Sequence, residues 1–456
     1  MAKTAEKTRI LNAAALSDWI RAGDLASVAA ALRGLHPADI APALAALTPA
    51  EAAGALDVLP VPRAAETFGY LEPEVQQALA AVMDRRQLSG LVGAMSHDER
   101  ADLYNALPED VRAVLMPALA QAEREDLRRL AAYPEGSAGA IMTSDYVALP
   151  PHLTAPEAID ALRRAAPDAE TIYKAYVLDE SRRPVGAVAL RDLILARDDQ
   201  TVAALMQPDP VAVAADAPRE QAVSLIAKYD LLALPVVDGA GAMVGIVTAD
   251  DALDAAEEEA TIDFRKHGSV AGGVLRPSRA PLWTLYRARV FWLVVLVFGN
   301  VFSGAAIASF EDMIAANVAL VFFLPLLIDS GGNAGSQAAT LMVRSLATGE
   351  VMLRDYARLI GRETLVAAAL GLTMALAVAG VGLVRAGPEV ALVVAASMVL
   401  IVLVGSIVGM SMPFLLSRFG FDPAAASAPL ITSIADATGV LIYFGLASHV
   451  FGFAAI

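Results

Sequence analysis

Cysteine is absent from all 456 residues. Disulfides, zinc thiolate sites and cysteine nucleophiles are excluded with it. Histidine is scarce: His36, His97, His152, His267 and His449 lie scattered and form no catalytic constellation. No GxxxxGK phosphate loop occurs, which speaks against an ATP-driven pump. Positive charge is in deficit, with 34 Lys+Arg against 50 Asp+Glu. A phosphate backbone would be repelled, so nucleic acid is not an expected partner. The first nine residues are polar and lack the apolar core of a cleaved leader. No long apolar run occurs before residue 289, so the front of the chain is expected to stay in the cytoplasm.

What is present divides sharply along the chain. Residues 1–275 hold 24 basic and 41 acidic side chains, a formal charge of −17, whereas the remainder holds 10 and 9. Such acidity suits cations, although it also serves plain solubility. Leu35, Leu47, Leu59, Leu71, Met83, Met95, Leu107 and Leu119 mark a repeat of period 12. Most units read as a turn, an acidic residue and an apolar stripe, with proline placed where a helix begins. Residues 1–134 are therefore expected to form an acidic superhelix of short helices. Residues 135–253 contain a duplication: MTSDYVALPPHLTAPEAIDALR resembles MQPDPVAVAADAPREQAVSLIA, and AYVLDESRRPVGAVALRDLIL resembles LPVVDGAGAMVGIVTADDALD. Each copy reads as strand, helix, strand, hairpin turn, strand and helix. That pattern resembles a tandem CBS pair, an α/β regulatory module. A charged stretch at 254–280 is expected to be a linker helix.

Residues 281–456 are expected to be an all-α membrane domain. Charge-free stretches of spanning length lie at 290–309, 364–384, 390–417 and 423–456, the last broken by Asp436. Residues 313–343 are apolar but interrupted at 329–333, and count as one irregular span whose helix Gly331 and Gly332 break. Five spans agree with the basic residues. Arg276, Arg279, Arg287 and Arg289 precede the first, Arg344, Arg354, Arg358 and Arg362 follow the second, and Arg418 follows the fourth. The positive-inside rule then places the N-terminus in the cytoplasm.

Two carboxylates, Asp329 and Asp436, interrupt apolar membrane sequence. Such groups face a partner or a water-filled path, or else sit at an interface or bond a nearby hydroxyl. Asp436 lies among Ser433, Ala435, Ala437, Thr438 and Gly439, small residues that permit close approach. The run Gly331-Gly332-Asn333-Ala334-Gly335-Ser336-Gln337 cannot be a lipid-facing stripe. On a helix, Asp250, Asp254 and Glu258 stack at i, i+4 spacing, as do Glu259 and Asp263. Either a solvated face or a cation sensor would look this way.

With the helical repeat and the CBS pair, that glycine run, PLITSIADATGVLIYF around Asp436 and FDPAAASAPL before it resemble the MgtE family over nearly the whole chain. The resemblance implies a multi-pass homodimer in the lipid of the bacterial inner membrane, not an enzyme. It implies a Mg²⁺-selective channel for magnesium uptake, shut when cytoplasmic Mg²⁺ binds the acidic helical, CBS and linker ("plug") region. Asp436 would be the main selectivity residue, with Ala435, Asp329 and Asn333 at the pore. Asp251, Asp254, Glu259, Asp263, Glu220, Asp230 and Asp422 would join Asp436 as metal-contacting residues. Ile262 stands where a family member can carry an acid, and Ala428 where a polar residue is common. A CBS pair also suits ATP. Tyr173 would meet the adenine, Arg191 a phosphate and Asp192 a ribose, and Thr248 and Asp251 keep the corresponding pattern in the second copy. Two other readings remain: a secondary carrier for Mg²⁺, Co²⁺ or Mn²⁺, which would need paired broken helices, and a membrane-anchored nucleotide sensor without transport.

Overall fold

The computed structural model describes residues 12–167, 169–271, 280–347 and 350–452. Arg276 and Arg279 lie outside them. The chain divides into two compact units, Met1–Ala256 and Glu257–Ile456. The linker helix, Ala249–His267, runs through the division.

The first unit opens with helices of seven to ten residues between Ala13 and Leu130. Helices this short are marginal alone and depend on packing. Pro37, Pro49 and Pro73 each occupy the first helical position. Thr48 with Glu51 and Asp84 with Gln87 close capping boxes, satisfying backbone donors that have no partner within the helix. The period-12 residues turn inward. Leu71, Met95, Leu107 and Leu119 are buried, and Leu35, Leu47, Leu59 and Met83 pack against the same core. From Pro37–Leu44 through Gln121–Leu130, helices pack mainly on the next but one, so two rows share one apolar seam.

That seam continues into the second CBS copy, where Val213, Leu234, Val236, Val247 and Ala252 join it. The first copy has a core of its own around Val147, Ala158, Val177 and Val188. Lys174–Leu178 pairs antiparallel with Pro184–Ala189, and Ala233–Val237 with Met243–Thr248. The two hairpins turn by the same chemistry. Asp179 accepts from the N–H of Ser181 and Arg183, and Asp238 from Ala240 and Ala242. At the left-handed position the second copy has Gly241 and the first Arg182. The opening strand of each copy is shorter than the sequence suggests. It is a lone bridge from Ala148 to Tyr176 in the first and Val213–Ala214 in the second. Tyr176 donates to the Ala233 carbonyl at 3.2 Å, joining the two sheets.

The second unit holds five helices long and apolar enough to cross a membrane: Leu282–Ala308, Ala319–Ala347, Tyr356–Ala386, Pro388–Arg418 and Ala428–Phe451. The fourth is central and packs on the second, third and fifth. The break expected at Gly331 and Gly332 is absent; both lie inside the continuous second helix. Their role is close approach. A Cβ on Gly331 would strike Ile401, one on Gly335 would lie 2.7 Å from the Gly405 carbonyl, and one on Gly409 would strike the Gly335 backbone. The second and fourth helices thus cross backbone to backbone. The first helix packs chiefly on the fifth and leaves Trp283, Phe291, Phe298 and Phe302 exposed.

Candidate ion path and acidic junction

Asp329 and Asp436 come from different helices and line one cavity of about 420 Å³ with Leu324, Pro325, Ile328, Gly332 and Thr432. Asn333, one turn on, donates to Asp329 Oδ2 at 2.9 Å. Thr432 gives its proton to the Pro429 carbonyl and Thr438 to the Ile434 carbonyl. Each hydroxyl oxygen therefore presents lone pairs, which suit a cation or its water shell. The Ala435 side chain is buried in the helix packing. Asp329, Asn333, Gln337 and Thr340 are all exposed in the single chain. Their spacing of four, four and three residues places them on one helix face. Hydrocarbon does not tolerate such a polar stripe uncovered, so water or protein must meet it.

A second group of carboxylates lies in the first unit, where Asp251 near the start of the linker helix neighbours Asp98, Glu99 and Glu170. Burial, then mutual repulsion, raises Asp98 and Asp251 above the usual carboxylate range. The same causes lift Glu99 to about 7 and raise Glu170. Thr248 Oγ1 donates to Asp251 Oδ2. Beside the cluster, His97 Nδ1 lies 2.8 Å from Asp126 and 3.1 Å from Asp145, tying two helices of the repeat to the first CBS copy. The sequence reading missed Asp98, Glu99 and Glu170. Only the fold brings them to Asp251, and no spacing announces it.

The other acidic candidates are spread out. Asp254, Glu259 and Asp263 follow along the linker helix. Glu220 and Asp230 stand at opposite ends of the helix Arg219–Tyr229, about 15 Å apart at 1.5 Å per residue. Asp422 accepts from the Ala424 N–H at 2.8 Å and takes the Lys266 ammonium on its other oxygen. Close by, Ser269 Oγ donates to Ser427 Oγ at 2.7 Å. Among the described residues of the single chain, no three His, Asp or Glu side chains converge on one ion-sized point.

The nucleotide candidates divide by copy. In the first, Tyr173 is 65% exposed, its carbonyl accepts from Leu190 N–H at 2.9 Å, and Arg191 and Asp192 open the next helix. In the second, Thr248 and Asp251 bond each other and face the acidic cluster. Gly186 and Gly245 have packing reasons to lack a side chain. A Cβ would strike the Met206 sulfur in one case and lie 2.6 Å from the Thr143 carbonyl in the other.

The family model described as divalent cation transporter, MgtE, matches residues 324–446. The MgtE intracellular N domain matches residues 35–136, and the CBS domain residues 138–199 and 202–258. A protein named magnesium transporter MgtE from Thermus thermophilus is 44% identical over 324 residues, covering 71% of this chain and 72% of that one. One of the same name from Bacillus subtilis is 36% identical, covering 72% of each. The solved cytosolic domain of the Mg²⁺ channel MgtE in complex with ATP is 37% identical, with a TM-score of 0.51, over 53% of this chain and 99% of that one. The soluble part of a magnesium transporter is 28% identical with the same TM-score, over 54% and 98%.

Proposed function

The chain belongs to the MgtE family of magnesium transporters, and from that premise we propose that it is a self-gated Mg²⁺ channel. Two copies in the bacterial inner membrane, each with its N-terminus in the cytoplasm, enclose one ion path for magnesium uptake. The observation that carries this reading is the polar stripe at Asp329, Asn333, Gln337 and Thr340 beside the cavity shared with Asp436. A second copy packed against that stripe would cover it and place two Asp436 carboxylates on one path. Mg²⁺ sheds its water reluctantly. Paired carboxylates with hydroxyl lone pairs hold the hydrated ion without stripping it, and their charge excludes anions.

Gating follows from the acidic junction. Without a bound cation, Asp98, Glu99, Glu170 and Asp251 repel one another where the helical repeat meets the CBS pair. Cytoplasmic Mg²⁺ bridges them, and Asp254, Glu259 and Asp263 continue the acidic run along the linker helix. A ligand that binds only the gathered arrangement favours it by mass action, and the gathered arrangement holds the linker helix against the membrane part. Glu220, Asp230 and Asp422 are assigned as further cation-contacting residues. We assign 1–134 to the sensor superhelix, 135–253 to the CBS pair, 254–280 to the linker and 281–456 to the pore. ATP would bind the first CBS copy through Tyr173, Arg191 and Asp192, since Asp251 of the second is engaged by Thr248.

Mg²⁺-dependent protection tests the gating. In full-length protein, cleavage within residues 250–276 should be fastest in chelator and slowed by Mg²⁺. Equal rates in both conditions would remove the sensor.

A further inference from the structure

The end of the linker helix meets the second membrane helix through one side chain that the transport reading leaves unused. His267 Nε2 lies 3.0 Å from Thr340 Oγ1. The Thr340 hydroxyl gives its proton to the Ser336 carbonyl at 2.7 Å. It therefore offers the imidazole only lone pairs, so Nε2 carries the hydrogen and Nδ1 is the bare nitrogen. Nδ1 is buried and, among the described residues, has no hydrogen-bond partner. Thr340 lies on the same helix face as Asp329 and Asn333.

We propose that His267 is a proton-sensitive gating residue: neutral, it pins the linker helix to the pore-facing side of the second membrane helix, and protonated it lets go. The proposal rests on the reading that this helix shuts the path. Protonation would place a second N–H and a full charge at Nδ1, in a buried spot without an acceptor, which is unfavourable. The undocked imidazole meets water and takes the proton more easily. Burial accordingly pushes His267 below its ordinary value. The charged groups of the surrounding elements offer little relief. On its own helix Arg265 and Lys266 oppose a new positive charge, while Asp263 and Glu259 lie one and two turns back. Lys266 already occupies Asp422, before the fifth helix. The second helix adds Arg344, one turn beyond Thr340, and the first adds Arg287 and Arg289. These two flank Ala288, whose carbonyl accepts from Ala271 at 2.8 Å. Proton uptake is then linked to undocking, and falling cytoplasmic pH favours the open path.

The test is patch recording of the full-length channel at saturating cytoplasmic Mg²⁺, with cytoplasmic pH stepped from about 8 to about 5.5 across the histidine range. Saturating Mg²⁺ suppresses proton competition at the acidic junction, and any remainder is common to every variant. Open probability of the wild type should rise as pH falls, by at most about tenfold per pH unit for each proton taken up. His267→Gln keeps an N–H donor but takes no proton, so its open probability should be flat with pH. Thr340→Val removes the acceptor from the opposite side and should blunt the response in the same way. A flat wild type, or a response that persists unchanged in His267→Gln, overturns the proposal. A wild type that ignores cytoplasmic Mg²⁺ yet keeps a His267-dependent proton response would overturn the Mg²⁺-gating reading and leave this one standing.

Discussion

At the scale of single residues, the buried carboxylates make the sharpest statements. Asp98, Glu99 and Asp251 are raised by burial and by one another. For a carboxylate whose folded value lies above its unfolded value, the folded state binds more protons. The folded state is therefore favoured below the unfolded value, and the advantage is lost as pH rises through the folded value. In chelator, the thermal stability of the full-length protein should fall as pH rises from about 4, the ordinary carboxylate value, to about 7, and Mg²⁺ should flatten the fall. Asp98→Asn should flatten it without Mg²⁺. An unchanged slope in the variant would mean that the three groups are solvated separately. Asp251 also shows why the nucleotide pattern of the second CBS copy could not be read from its letters. Gly245, Thr248 and Asp251 keep the spacing, but Thr248 bonds Asp251 and the helix His97–Ala106 brings acid against it.

At the scale of elements, the helix count, the duplication, the two hairpin turns and the repeat of short helices were legible because each follows a local rule. Proline at Pro37, Pro49 and Pro73 starts helices, Asp179 and Asp238 close turns, and apolar length marks spans. The glycines at 331 and 332 were misread as a break, because composition cannot distinguish a helix that stops from one that is approached closely. The close approach predicts a mutational contrast. Gly409→Ala places a Cβ against the Gly335 backbone and should lower thermal stability in detergent by about 1–3 kcal/mol, the usual effect of overpacking. Gly380→Ala meets nothing within 4 Å and should gain slightly from helix propensity. Equal effects of the two substitutions would contradict the crossing of the second and fourth helices. Asp98, Glu99 and Glu170 stayed hidden for a different reason. They join Asp251 only through packing between distant segments, to which no periodicity points.

At the scale of the whole molecule, the proposed function puts sensing and permeation in different parts of the chain, so the two should separate by mutation. Asp251→Asn, Asp254→Asn and Glu259→Gln together remove the repulsion and the cation affinity. Open probability should then cease to follow cytoplasmic Mg²⁺, while selectivity in single-channel records stays as in the wild type. Altered selectivity would mean that these residues reach the pore. The central claim is that Mg²⁺ crosses the membrane past Asp436, and Mg²⁺ flux into proteoliposomes tests it most directly. The account predicts that Asp436→Ala abolishes flux while the protein still folds and dimerises, and that Asp436→Asn conducts with reduced preference for Mg²⁺ over monovalent ions. Wild-type Mg²⁺ flux through Asp436→Ala would contradict it.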